Sequence, residues 1–279
     1  MAATTEVPVL TLHDGVEIPQ LGFGVFQVPA DETQTAVETA LATGYRHIDT
    51  AAAYGNEAGV AAAIAAAGIR RDEVFVTTKL WNTEQGYDST LAACERSLQE
   101  LDSDHFDLYL IHWPVPAEDR FLETWRAFER IKTEGKSRSI GVSNFRIEDL
   151  ERLRGEAEEQ PTVNQVELHP HLQQPELRAW HAEHAVATEA WSPLAQGALL
   201  DEETIVTVAA HHERTPAQVI LRWHVQIGNV VIPKSVTPAR IEENFRIFDF
   251  ELSEDDMAAI ARLDRGERIG PDPSTFSAP

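Results

Sequence analysis

Eight times along this chain a short apolar run gives way to a stretch of helical periodicity, and that alternation restricts the fold more than any other feature. Residues 21–28 are apolar and glycine-bearing and read as the first strand. Ala36, Val37, Ala40 and Leu41 then share one face of a helix that Gly44 ends. Further strands read at 45–50, 74–80, 106–112, 139–143, 163–168, 186–191 and 230–235. The helices between them cover 56–67, 90–101, the span marked by Phe121, Trp125, Phe128 and Ile131, then 147–154 and 176–184. Two helical segments follow around 205–211 and 217–225, a last barrel helix opens at 239–245, and an extra helix covers 254–263. Eight strand–helix units closing on themselves make a TIM-type (β/α)8 barrel of the α/β class.

The competing architecture is an open, doubly wound sheet, which carries a Gly-rich phosphate turn after its first strand. Here Gly22 and Gly24 supply two glycines of that turn and Gln27 stands where the third belongs. Ahead of the first strand, apolar runs at 9–12 and 16–18 flank His13-Asp14-Gly15, an Asp-Gly hairpin signal placed to cap the barrel bottom. Residues after Leu263, with Gly266, Gly270, Pro271 and Pro273, read as a C-terminal loop. No Pro/Gly/Ser-rich linker divides the chain, so residues 1–279 read as a single domain.

A formal net charge of -23 makes nucleic acid and anionic membranes poor partners. No run approaches the roughly 18 apolar residues needed to span a bilayer. The opening MAATTEVPVL lacks the basic and apolar regions of a signal peptide. The expected species is a cytoplasmic monomer. Cys94, the one cysteine, shares a helix face with Leu91, Leu98 and Leu101 and reads as a small buried hydrophobe.

In such a barrel, reactive groups project from the C-terminal ends of the strands. Polar residues at those ends are Asp49 and Thr50, Lys79, His112, Ser143 and Asn144, Gln165 and Glu167, Trp191, then Lys234 and Ser235. Tyr54 follows Asp49 by five residues, on the loop into the second helix. Singly, each is an ordinary structural residue. Together they are not. Lys79, one of four lysines, interrupts an apolar strand, and a buried cation needs a partner that Asp49 can supply. An ammonium beside Tyr54 stabilises a phenolate and lowers a pKa that is otherwise about 10. His112 can hydrogen-bond and orient a substrate oxygen. This set suits protonation of an alkoxide as hydride reaches a carbonyl carbon, with the hydride drawn from a cofactor.

The segments Gly44-Tyr45-Arg46-His47-Ile48-Asp49-Thr50-Ala51, Tyr54-Gly55-Asn56-Glu57, Thr78-Lys79-Leu80-Trp81, Tyr109-Leu110-Ile111-His112-Trp113-Pro114 and Ile140-Gly141-Val142-Ser143-Asn144-Phe145 resemble the aldo-keto reductase motifs, in family order. Ile232-Pro233-Lys234-Ser235 resembles that family's cofactor-phosphate segment, and Glu189-Ala190-Trp191-Ser192-Pro193-Leu194 its bacterial branch that includes 2,5-diketo-D-gluconate reductases. The resemblance runs from about Val9 to Phe276. It implies a catalytic tetrad of Asp49, Tyr54, Lys79 and His112. It implies that Ser143, Asn144 and Gln165 hold the nicotinamide amide and that the ring stacks on Trp191, where many members carry Tyr. Leu194, Gln196 and Gly197 match the loop over the pyrophosphate, and Glu243 and Asn244 match adenine contacts. Phe26, Trp81, Trp113 and Phe276 fall where relatives line the substrate pocket. The short loop at 114–120 and the short tail suggest an open pocket for small or polar carbonyls.

NADPH rather than NADH follows from local charge. Lys234, Ser235 and Arg240 gather around a helix start at Thr237 and Pro238, and helix starts attract anions. Two cations and a hydroxyl suit a 2'-phosphate. Val236 stands where some relatives have a larger residue. Two rival readings stay open at this point. One is a metal-dependent hydrolase built on His169-Pro170-His171 with His112 and Asp49, against which Lys79 places a cation in the site. The other is a non-catalytic NADP(H)-binding redox-sensing module, against which the complete tetrad argues. His211 and His212 read as solvated.

Overall fold

A computed structural model of the chain describes residues 7–278. The first six residues of the segment read for a signal peptide lie outside the described residues. The chain opens with strands β1 (Val9–Thr11) and β2 (Glu17–Pro19), paired antiparallel as the Asp-Gly signal predicts. Then come β3 (Phe23–Gly24), α1 (Ala30–Thr43), β4 (His47–Asp49), α2 (Glu57–Ala67), β5 (Phe75–Leu80), α3 (Tyr87–Glu100), β6 (Phe106–Ile111), α4 (Phe121–Thr133) and β7 (Ser137–Ser143). The second half continues through α5 (Ile147–Glu156), β8 (Val163–Glu167), α6 (Pro175–Glu183), β9 (Ala187–Trp191), α7 (Glu203–His212), α8 (Pro216–Gln226), β10 (Val230–Val231), α9 (Pro238–Phe245) and α10 (Glu254–Ala261).

Strands β3 to β10 lie side by side in chain order, all parallel. The ring closes where Leu21 pairs with Val231: the Val231 N–H donates to Gln20 at 2.8 Å, and the Gly22 N–H donates to Val231 at 2.9 Å. Gly22 is required at this seam, since a Cβ would lie 2.6 Å from Nδ1 of His47. Covered by helices outside and side chains inside, β5 and β6 are buried at every position, which is why neither alternates between buried and exposed residues. Leu12 and Ile18 of the hairpin pack with Phe75, Leu108, Leu110, Val163 and Val230, so β1 and β2 plug the lower end of the barrel. Asp14 in their turn accepts hydrogen bonds from Lys132 Nζ and Ser139 Oγ. Among the described residues no helix is long and apolar enough to cross a membrane.

Three readings change. The first strand, read over 21–28, is regular only at Phe23–Gly24, because the chain turns over Val25–Val28 with Gln27 at a φ of 57°. The last barrel strand ends at Val231 rather than at 235, because Pro233 has no N–H to extend the ladder. His212 is only partly solvated; its Nε2 lies 2.9 Å from Asp256 and its ring packs on Phe250. The tail is a loop, as expected, and is fastened at several points described below. Cys94 is buried as expected, and burial pushes its thiol up to about 12.

Candidate active site

The parallel register brings Asp49 on β4 and Lys79 on β5 into the upper lumen. Lys79 Nζ donates to Asp49 Oδ1 at 2.6 Å and to the Thr50 carbonyl at 2.8 Å, and it reaches Tyr54 Oη at 3.5 Å. Tyr54 ends a single 3-10 turn, Ala52–Tyr54, after which Gly55 takes a left-handed conformation. Asn56 locks this turn to the first barrel strand. It accepts from Thr50 Oγ1 at 2.8 Å and donates to the Val25 and Val28 carbonyls. The Tyr54 ring is half-buried, 5.8 Å from the His112 ring and 5.1 Å from the Phe26 ring. The four residues that the sequence grouped therefore meet at one point.

Their electrostatics differ in one respect from the expectation. Burial pulls the Lys79 ammonium down, but Asp49, then Tyr54, more than offset it and hold Lys79 above the usual lysine range. Lys79 does lower the Tyr54 phenol, yet burial outweighs it, and Asp49 adds to the upward push. Tyr54 is thus a protonated phenol at neutral pH, its proton held more firmly than in a free tyrosine. Burial, then Lys79, keep His112 well below the ordinary histidine value, so its ring is neutral. Its Nδ1 is buried without a partner.

Beside this cluster, Asn144 sits after β7 in a left-handed conformation with φ of 63°. Its amide donates to the His112 carbonyl at 3.0 Å and to Ser143 Oγ at 3.1 Å, and its Oδ1 accepts from Trp191 Nε1 at 2.8 Å. Ser143 Oγ donates to the Gln165 carbonyl. The Gln165 amide nitrogen faces into the lumen, not toward the mouth. It donates to Asp49 Oδ2 at 2.8 Å and to Glu189 Oε2 at 3.0 Å. Trp191 is half-exposed at the end of β9, and Leu194, Gln196 and Gly197 follow on the irregular turn Ala195–Gly197.

A second, separate polar group lies past β10. Lys234, Val236 and Arg240 are exposed, and buried Ser235 accepts the Thr237 N–H at 3.1 Å, just before α9. Lys79, Lys132 and Lys136 are each paired with carboxylates. Among the described residues Lys234 and Arg240 are in no ion pair, in a chain with 46 acidic and 23 basic residues. Glu243 Oε1 accepts from Thr215 Oγ1, and Asn244 is buried behind it.

The mouth carries the four aromatic residues. Phe26 is 49 % exposed and Trp113 is buried, while Trp81 and Phe276 are intermediate. Phe276 packs on Trp113 with ring centroids 4.2 Å apart, and Trp81 lies 5.1 Å from the His112 ring. The tail is tied down at Ala278, whose carbonyl accepts from Asn82. Its main anchor went unrecognised in the sequence: Glu167, fully buried at the end of β8, accepts from the Ile269 N–H at 2.6 Å, the Gly270 N–H at 3.1 Å and Arg268 Nη1 at 3.2 Å. Burial pushes this carboxyl up, but His169 and the tail N–H groups hold it below its ordinary value. Gly270 passes so close to Trp191 that a Cβ would lie 2.4 Å from the indole. Glu167→Ala leaves these donors without partners at a cost of about 1–3 kcal/mol. We expect trypsin to cut after Arg268 much faster in that variant, and equal cleavage in both proteins would refute the anchor. A cavity of about 660 Å³ lies outside the mouth, lined by Asn144, Arg146, Gln174 and Arg268 but by none of the four central residues.

The hydrolase ligand set does not assemble. His169 pairs with Glu167 and His171 with Glu202, and among the described residues no group of three metal-ligating side chains converges.

Comparison with known proteins agrees with this geometry. The family model described as "Aldo/keto reductase family" matches residues 20–265. An aldo-keto reductase of Mycobacterium sp. (strain KMS) is 57% identical over 270 residues, covering 97% of this chain and 98% of the relative. The methylglyoxal reductase DkgA of Yersinia pestis is 53% identical over 276 residues, covering 98% of this chain and 99% of the relative. A crystal structure of a Gox0644 mutant in complex with NADPH superposes with a TM-score of 0.94 at 48% identity, covering 98% of this chain and 100% of that one. With the barrel, the strand-end cluster and these likenesses together, the chain belongs to the aldo/keto reductase family.

Proposed function

We propose that this protein reduces the carbonyl of small dicarbonyl compounds to an alcohol with NADPH, taking the proton from Tyr54. The observation that carries the reading is Lys79 Nζ, bound by Asp49 and the Thr50 carbonyl and 3.5 Å from the Tyr54 hydroxyl. Methylglyoxal, named for the Yersinia pestis relative, is a compound of that class and supports the choice of substrate.

The residues present fit an NADP(H). Lys234 and Arg240 are cations without carboxylate partners among the described residues, set at a helix start with Ser235, and a 2'-phosphate meets that arrangement. Val236, Glu243 and Asn244 line the adenosine end, and Leu194, Gln196 and Gly197 the pyrophosphate. Trp191 offers a half-exposed indole for the nicotinamide, with Ser143, Asn144 and Gln165 beside it for the amide. Gln165 serves there through its oxygen, since its nitrogen is held by Asp49 and Glu189.

Bound NADPH supplies the hydride. The chain handles the oxygen and the proton. Neutral His112 donates a hydrogen bond to the carbonyl oxygen and turns it toward the phenol. Tyr54 gives its proton to that oxygen as negative charge develops there, and the Lys79 ammonium stabilises the phenolate left behind. Asp49 keeps Lys79 charged and aimed. Phe26, Trp81, Trp113 and Phe276 form the apolar wall around the substrate. We further propose that residues 1–279 act as one domain and as a cytoplasmic monomer, and that the strong negative charge turns away nucleic acid and anionic membranes.

NADPH oxidation followed with methylglyoxal, α-diketones, keto esters and keto sugars tests the activity; no turnover with any of them by cofactor-bound protein would overturn it. For the phosphate, Arg240→Ala is expected to raise the KM for NADPH about tenfold or more and to leave that for NADH nearly unchanged. Equal effects on both cofactors would remove the 2'-phosphate assignment.

A further inference from the structure

Below Asp49 the lumen holds a second carboxyl that the proposed chemistry does not use. Glu189, on β9, has no exposed surface, and Gln165 joins it to Asp49 through the two N–H groups of one amide. On its far side Glu189 Oε1 has no hydrogen-bond partner among the described residues and faces His47 Nε2 at 3.7 Å. His47 is equally buried. Its Nδ1 lies 3.4 Å from the Pro19 carbonyl, which can only accept, so Nδ1 carries the hydrogen of a neutral ring. Nε2 then presents a lone pair, toward which Thr77 Oγ1 is set at 3.1 Å. At 3.7 Å Glu189 Oε1 and His47 Nε2 are not hydrogen-bonded, so an ionised Glu189 would leave a buried carboxylate oxygen with no donor facing it among the described residues.

The charges around Glu189 decide its protonation. The groups facing Glu189 are Asp49 and His47 from β4, Lys79 from β5 and Gln165 from β8. The lumen thus contains one ammonium, and Asp49 takes it at 2.6 Å. A second ionised carboxylate would be buried without a cation, which is strongly unfavourable. Burial holds His47 down at about 4, so the ring does not supply that cation. Burial, then the Asp49 charge, push Glu189 well above the ordinary carboxyl range.

We propose that Glu189 is a positioning residue that keeps its proton through the working pH range, fixing Asp49 through Gln165 and leaving the lumen uncharged enough for the Tyr54 phenolate to form. This rests on the reading of Tyr54 as proton donor. The sign is as follows. Ionised Glu189 adds a negative charge near Tyr54 and strengthens its hold on the phenolic proton. Carbonyl reduction therefore slows as pH rises through the Glu189 titration, and the neutral form is complete on the acid side.

Glu189→Gln keeps the shape and cannot ionise. Its kcat/KM for carbonyl reduction is expected to match wild type in mild acid and to fall at an alkaline pH about one unit or more higher. Superimposable pH profiles, in a variant that melts with wild type, overturn the proposal. An activity-free readout accompanies this. The infrared difference between wild type and Glu189→Gln at neutral pH should contain the carbonyl stretch of a protonated carboxyl, and that band should fade as base is added. The difference excludes Glu57, the other carboxyl raised by burial, which hydrogen-bonds Thr78 and Ser97 in both proteins. No such band overturns the proposal. If Glu189→Gln fails to fold, Glu189→Asp replaces it, with a shifted band in place of a lost one. Should wild type oxidise no NADPH with any carbonyl while the band is present, the assigned activity fails and the Glu189 proton stands.

Discussion

Tyr54→Phe is expected to lower kcat for carbonyl reduction by roughly 10²–10⁴-fold, the range for loss of a positioned general acid. The substitution removes one oxygen and keeps the ring, which packs on Phe26 and His112 through carbon atoms. The Lys79 ammonium keeps its bonds to Asp49 and Thr50, so fold and charge survive. Cofactor affinity should be nearly unchanged, because the proposed cofactor contacts lie on β7 to β10 and α9. The check is steady-state kinetics with methylglyoxal alongside NADPH binding by fluorescence. A variant that retains wild-type kcat would exclude Tyr54 as the donor, and one that loses NADPH binding would show that the hydroxyl does something else.

Lys79→Met should have the largest effect on stability. Lys79 has no exposed surface and Asp49 is 2 % exposed. Removing the ammonium leaves Asp49 ionised and buried without its counterion, for which about 3–5 kcal/mol is expected. Pairing the change with Asp49→Asn removes the stranded charge and should restore most of the lost stability. Activity should not return, since the phenolate would still lack its cation. Denaturant melts and turnover of the two variants beside wild type separate these outcomes. If Lys79→Met melts with wild type, the pair is not a structural element of the barrel. If the double variant reduces carbonyls well, the lysine is not what supports Tyr54.

Much of this was legible because barrel strands announce themselves. Runs such as 106–112 are largely apolar, broken there by Asp107, and the polar residue that ends each run marks the mouth. Asp49, Lys79 and His112 were found that way, and Tyr54 by its spacing from Asp49. What the pattern cannot encode is direction. Gln165 stands where a cofactor contact belongs, yet its nitrogen turns inward to two carboxylates, a choice that only the lumen packing makes. Glu167 was noted as a strand-end polar residue, but its role depends on backbone N–H groups over 100 positions later. Glu189 opens the Glu189–Leu194 motif, and its signal in the sequence is a carboxylate inside the strand run 186–191. The Tyr54 phenol was expected below its free value; the energy of burying a phenolate depends on the walls around it and not on the presence of Lys79 alone. The short β10 is the one boundary that a local rule, the proline at 233, could have supplied.

The β1–β2 hairpin gives this architecture one more property. With Leu12 and Ile18 seated under the strands, the described residues stopper the lower end of the barrel, opposite the aromatic mouth. In the proposed reaction, carbonyl, alcohol and the proton that recharges Tyr54 would then all pass at the mouth end, and the phenol would be refilled from solvent across the rim.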